Sequence, residues 1–181
     1  LHPDEITVVT AEFQTAGKGQ GKNTWESNHG ENLLFSLLCH PKHVPAKRQF
    51  ILSQAIALAI RDALQAYIGR IDIKWPNDIY WHHHKLGGIL IECTLSGTTV
   101  KDCIIGVGID VNQREFENLT KNPISIYQIL HREIDRENLL HTIIDDFCHY
   151  LHIIEEGHYD SIAADYMNTL YRRNGYHLYR D

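Results

Sequence analysis

Lys74-Trp75-Pro76-Asn77-Asp78 and, after a short turn, Lys85-Leu86-Gly87-Gly88-Ile89-Leu90-Ile91-Glu92 decide how this chain is read. The alternation of Ile71, Ile73 and Trp75 predicts a strand. Pro76 has no N–H for a sheet ladder, so the strand stops or edges out there. Asn77-Asp78 starts the way out, Ile79-Tyr80-Trp81 resumes strand residues, and His82 to His84 fill a polar turn. Leu86 to Ile91 is a short apolar run of the kind found in buried strands. Gly87-Gly88 removes two side chains. Either a ligand lies on the bare backbone, or the strand is bulged or tightly packed there.

Outward from this hairpin, Ile6 to Ala11 predicts a short buried strand, and Phe13 to Glu31 a long polar loop with Gly17, Gly19, Gly21 and Gly30. Asn32 to Cys39 is a second buried strand ended by Pro41. Gln49 to Tyr67 has no Gly or Pro and is apolar nearly all round, which predicts a buried helix stopped at Gly69. Ser96-Gly97 turns into a strand over Thr98 to Asp110. Gln113 to Pro123 is loop, and Ser125 to His131 a short helix. Asp135 caps a longer helix carrying Leu140, Ile143, Ile144, Phe147, Leu151 and Ile154 at helical spacing. Asp160 to Arg172 is a last helix, and Tyr176 to Arg180 begins a strand with no partner after it. Strands joined by hairpins between helices give an α+β fold with a mixed, largely antiparallel sheet.

The 181 residues suit one domain. A net charge of −6 argues against general nucleic-acid or membrane-surface binding. No apolar run is long enough for a bilayer, and no signal peptide opens the chain. Cys39, Cys93, Cys103 and Cys148 show no paired spacing and read as reduced, buried thiols of a cytoplasmic protein. Three consecutive histidines on a turn point in different directions, so a solvated turn is expected and no metal site. Gly17-Lys18-Gly19-Gln20-Gly21-Lys22 could cradle an anion, since glycines let N–H groups converge. It is neither a P-loop nor a dinucleotide fingerprint. Lys18, Lys22, Lys74 and Lys85 all lie in or beside glycine-marked segments of an acidic chain, which suits a polyphosphate or carboxylate ligand.

Those blocks, in order and spacing, resemble the catalytic domain of biotin protein ligases. They are Ala11 to Gly19, Trp25 with Asn32-Leu33 and Ser36-Leu37, the two stretches quoted first, and Gly106-Val107-Gly108-Ile109. The resemblance covers roughly residues 5–112. It implies ATP-dependent biotinylation of a carrier-protein lysine through biotinyl-5′-adenylate, with biotin and ATP as substrates and Mg2+ accompanying ATP. It implies a biotin carboxyl carrier domain as partner, and pairing into homodimers through sheet edges. Lys85, Lys18 and Asp78 fall on catalytic positions. Gln14, Lys18, Gly19, Gln20, Lys85, Gly88, Gly106 and Gly108 fall on the biotin side, and Lys18, Gln20, Trp25, Lys74, Asn77 and Asp110 on the ATP side. Asp78 is expected to orient the carrier amine and take its proton.

The resemblance also implies a catalytic domain over residues 1–174, with the segment preceding its first strand missing. A small SH3-like β domain would begin at residues 175–181. Two departures stand out. The family's Gly-Arg-Gly-Arg loop has Lys18 and Gln20 in place of arginines, which predicts weaker retention of the adenylate. The family's Gly-Ile-Asn is here Gly108-Ile109-Asp110, which puts an adenine contact in doubt. Lipoate–protein ligase, sharing the fold and chemistry, is the alternative enzyme. A non-catalytic or regulatory biotin-binding module is the alternative of another class.

Overall fold

The computed structural model describes residues 6–117, 119 and 122–178. Six strands form one sheet: β1 (Thr7–Ala11), β4 (Leu33–Cys39), β8 (Thr99–Ile109), β7 (His84–Ser96), β6 (Asp78–Trp81) and β5 (Asp72–Lys74), in that spatial order. Each pairing between these strands is antiparallel. Parallel pairing is confined to single bridges, Ile73 with Leu170 and Lys85 with Pro123. A second, two-stranded sheet joins β2 (Gly17–Lys18) to β3 (Thr24–Trp25). The helices are α1 (Phe50–Ile68), α2 (Ile126–Leu130), α3 (Arg136–Glu155) and α4 (Tyr159–Asn168).

The alternation along β8 separates core from cleft. Cys103, Ile105, Val107 and Ile109 are buried and join the cluster that includes Leu37 of β4, Leu52 and Ile56 of α1, and Phe147 of α3. Ile104, Gly106 and Gly108 point the other way, as a period of two requires. Gly69, at φ 74°, ends α1 by taking a backbone conformation that side chains resist. Asp135 caps α3, accepting from the N–H groups of Glu137 and Asn138. Ser125 and Gln128 form a capping box on α2.

Several expectations are corrected. The first strand is an exposed edge, with Val9 61% exposed, because among the described residues only β4 pairs with it. The long loop from Phe13 to Glu31 contains the ordered β2–β3 hairpin. The alternation through Ile71 and Ile73 breaks at Trp75, which is 66% exposed beside a cis Trp75–Pro76 bond. His84 belongs to β7 rather than to the turn. The last helix stops at Asn168, because Leu170 leaves it to bridge to Ile73. Tyr176 to Leu178 form no strand, and the remainder of that expectation, residues 179–181, lies outside the described residues. All four cysteines are free, but Cys93 and Cys148 are only half-buried.

Phe147→Ala should cost about 3–5 kcal/mol of unfolding free energy, because the ring is fully buried between α3 and the rest of the core. Urea titration measures it. A loss below about 1 kcal/mol would contradict this placement of α3.

Candidate active site

Two adjoining clefts lie on the side of the sheet that the glycines of β7 and β8 leave open. The first has a volume of about 820 Å³ and is bordered by Gln14, Lys18, Gly19, Gln20, Trp25, Lys74, Asn77, Asp78, Lys85, Gly88, Gly106 and Gly108. Twelve of the thirteen residues singled out from sequence therefore meet in one place. Asp110 stands in the second cleft, of about 850 Å³, with Lys22, Gln113, Phe116 and Pro123. Gln14, Trp25 and Lys85 border both. The fourth lysine of the sequence argument, Lys22, thus faces the neighbouring chamber.

The strand register builds the floor. Gly88 on β7 faces Gly108 on β8, and Leu90 faces Gly106. A Cβ on Gly108 would lie 2.5 Å from Trp25 Cε2, so the indole rests on bare backbone there. A Cβ on Gly88 would meet Lys85 Nζ at 3.4 Å and Trp25 at 3.5 Å. Gly87 differs: a Cβ there would lie 2.8 Å from the Gly108 carbonyl oxygen. Of the two readings of Gly87-Gly88, tight packing holds for Gly87, and Gly88 borders the cleft.

Lys85 Nζ donates to Asp78 Oδ1 at 2.5 Å, in a pair with side chains only 14% and 19% exposed. The ammonium also lies 5.9 Å from the Trp25 ring centroid. Asn77 Nδ2 donates to the Ile89 carbonyl at 2.8 Å, and Ile89 N–H donates back to Asn77 at 2.9 Å, fixing the link between β5 and β6. Lys74 Nζ donates to the Tyr80 hydroxyl at 3.1 Å. Burial pulls the Lys74 ammonium down, but the Tyr80 hydroxyl, Asp78 and Tyr171 outweigh it and hold the group above its ordinary value. The glycine loop is a tight turn in which Gly19 N–H donates to Asn23 O at 2.8 Å and Asn23 Nδ2 to Gln20 O at 2.9 Å.

Two buried polar atoms near Lys85, Trp25 Nε1 and Asp110 Oδ1, have no hydrogen-bond partner among the described residues. Unpaired buried groups cost free energy and mark places where a ligand can complete the bonding. Sequence reasoning missed Tyr80 and the Asn32–Gln113 pair. Asn32 Nδ2 donates to Gln113 Oε1 at 2.5 Å and to Ser27 Oγ at 3.0 Å, and Asn32 Oδ1 accepts from Val111 N–H at 2.9 Å. This network ties the loop before β4 to the end of β8. The only sequence signal was an Asn opening an apolar strand.

Residues 2–110 match the model of the biotin/lipoate A/B protein ligase family. The chain belongs to that family. This family member is 35% identical over 144 residues to a bifunctional ligase/repressor BirA of Bacillus spizizenii, covering 77% of the chain and 44% of the relative. It is 36% identical over 117 residues to the human biotin–protein ligase, covering 60% of the chain and 16% of the relative. A biotin protein ligase from Aquifex aeolicus, solved in complex with biotin and ATP, superposes with a TM-score of 0.78 at 28% identity, over 90% of this chain and 68% of that one. The ligase of Leishmania major solved with biotinyl-5-AMP shares the fold, with a TM-score of 0.75 at 23% identity, over 98% of this chain and 77% of that one. The chain spans less than half the length of the BirA relative. The fold class read from sequence is that of these ligases.

Burial pushes the Asp110 carboxyl well above the usual carboxylate range, and the Lys85 ammonium offsets this in part. A raised acid keeps its proton in the folded chain after the unfolded chain has lost its own. Stability therefore falls as pH rises above about 3.9, the ordinary Asp value, towards the folded one. Asp110→Asn removes that burden. Melting temperatures of variant and parent should converge near pH 4 and separate upward, with the variant higher; parallel curves would contradict the assignment. Gly108→Ala should displace the indole of Trp25, read as a shift in tryptophan emission. An unchanged spectrum would speak against the contact.

Proposed function

We propose that this chain carries the active site of an ATP-dependent biotin–protein ligase that works through biotinyl-5′-adenylate. The observation that carries the reading is the convergence of Lys18, Lys74 and Lys85 on one glycine-floored cleft, with Lys85 also bordering a second. Likeness to a ligase solved with biotin and ATP supports the choice of substrates. In the first step a biotin carboxylate oxygen attacks the α-phosphorus. The bond to the bridging oxygen breaks, and pyrophosphate leaves. Both reagents are anions, so Lys85 and Lys18 screen their repulsion and stabilise charge on the phosphorus oxygens. In the second step a carrier lysine amine attacks the acyl carbon, AMP leaves, and the amine loses a proton.

Gln14, Gly19, Gln20, Gly88, Gly106 and Gly108 would border biotin and the acyl phosphate. Trp25, Lys74, Asn77 and Asp110 would border the nucleotide. Lys85 meets both reagents, which suits its position between the clefts. Asp78 holds Lys85 at rest and lies where the carrier amine must arrive. Among the described residues no group of three or more His, Cys, Asp or Glu side chains could hold a metal ion. Mg2+ would enter with ATP and would offset the charge of its phosphates.

A biotin carboxyl carrier domain is the proposed protein substrate, and the exposed β1 edge the place for pairing with a second copy. The catalytic domain would run to residue 174, in a cytoplasmic protein. Among the described residues no helix is long and apolar enough to cross a membrane.

Biotin should stimulate ATP–pyrophosphate exchange by the full chain, and lipoate should not. Lys85→Ala should lower the exchange about 100-fold or more. Asp78→Asn should slow transfer to the carrier more than adenylate formation. Exchange driven by lipoate, or none at all, would sink the reading.

A further inference from the structure

Lys74 differs from Lys85 in how it is held. Lys85 is neutralised at rest by Asp78. Lys74 has no ion pair among the described residues, and its ammonium is fixed by a phenol: 3.1 Å from the Tyr80 hydroxyl and 4.9 Å from the ring centroid. Only one of its three N–H bonds is used in this way, so two remain for a ligand. Tyr80 is 7% exposed and borders the main cleft.

Tyr80 is itself held from behind by a part of the chain far away in sequence. Its ring packs on Tyr171 at 5.1 Å between centroids. Tyr171 follows α4, where the chain pairs with the sheet edge. Ile73 N–H donates to the Thr169 carbonyl at 2.9 Å, and Tyr171 N–H to the Ile73 carbonyl at 2.8 Å. Ile73 immediately precedes Lys74. The strap over residues 169–171 therefore fixes both the backbone next to Lys74 and the ring beneath its ammonium. The Tyr171 hydroxyl lies 2.8 Å from His83 Nδ1, at the exposed outer end of the strap.

We propose that Tyr80 and Tyr171 are positioning residues that hold Lys74 as the standing cation for the polyphosphate of the nucleotide and for the departing pyrophosphate. The strap couples the end of the helical layer to the anion site. A free lysine stem loses rotamer freedom when it binds, so an ammonium already held in place loses less. The phenol suits the task because it fixes the ammonium without neutralising it, as a carboxylate would.

This inference rests on the nucleotide reading above, but its primary test does not require turnover. Calorimetry measures binding of inorganic pyrophosphate to the full chain and to Lys74→Ala, Tyr80→Phe, Tyr171→Ala and Tyr171→Phe. Tyr80→Phe should weaken binding about tenfold, the loss expected for one hydrogen bond to a charged group. Tyr171→Ala should weaken it severalfold, and Tyr171→Phe, which keeps the ring, should bind nearly as the parent does. In the Lys74→Ala background, Tyr80→Phe and Tyr171→Ala should cause no further loss, which a general structural defect would not reproduce. In exchange kinetics the KM for ATP should rise and the KM for biotin stay constant.

Equal losses with and without Lys74, a parallel rise in both KM values, or a parent chain that does not bind pyrophosphate would overturn the proposal. Coupled pyrophosphate binding in a chain without biotin-stimulated exchange would support the positioning role and overturn the ligase reading.

Discussion

Gly88 faces Gly108 across the β7–β8 ladder, and the cleft depends on that register. Side chains alternate along a strand, so a slip of one residue would turn the core row of Cys103, Ile105, Val107 and Ile109 into the cleft and bury the glycines. The buried row is large and apolar, which makes such a slip costly. The apolar core therefore enforces a floor of bare peptide on the opposite side. Trp25 exploits it, resting where any β-carbon on Gly108 would collide.

Charge is arranged on that floor in two ways. Lys85 is paired with a carboxylate inside a part-buried site, where loss of either partner would leave an uncompensated charge. Lys74 is held by a hydroxyl and an aromatic face and keeps its full positive charge. A site that brings two anions together gains from both arrangements. One cation has to be released by the incoming ligand, and another stands ready. Asp110 Oδ1 and Trp25 Nε1, buried and without a hydrogen-bond partner among the described residues, add two polar atoms whose bonding is unfinished.

The chemistry of the cleft was legible because its residues lie in short contiguous motifs. Residues 74–78 and 85–92 lie on or between the three consecutive antiparallel strands β5, β6 and β7, so local strand pairing alone brings Lys74, Asp78, Lys85 and Gly88 together. Glycines 106 and 108 were legible through the family resemblance, carried by the contiguous block Gly106-Val107-Gly108-Ile109. Tyr80 was read only as a strand residue, although it holds Lys74. Nothing in the sequence near Tyr171 pointed to the cleft, since its neighbour there lies about ninety residues away. The Asn32–Gln113 bond was hidden for the same reason.

By itself the sequence determined the α+β class, the boundaries of the long helices to within a few residues, and the identity of the groups that crowd the cleft. The class and the boundaries follow from periodicity and caps, and the cleft residues from the family resemblance that contiguous motifs carry; all of these signals are local. Tertiary structure alone decided that the first strand is an exposed edge, that Trp75 is exposed, and that Asp110 and Lys22 belong to a neighbouring chamber. It also decided that residues after the last helix return to brace Lys74. Each of these depends on which segment lies beside which, and that is settled by packing of the whole core, not by the composition of any one stretch.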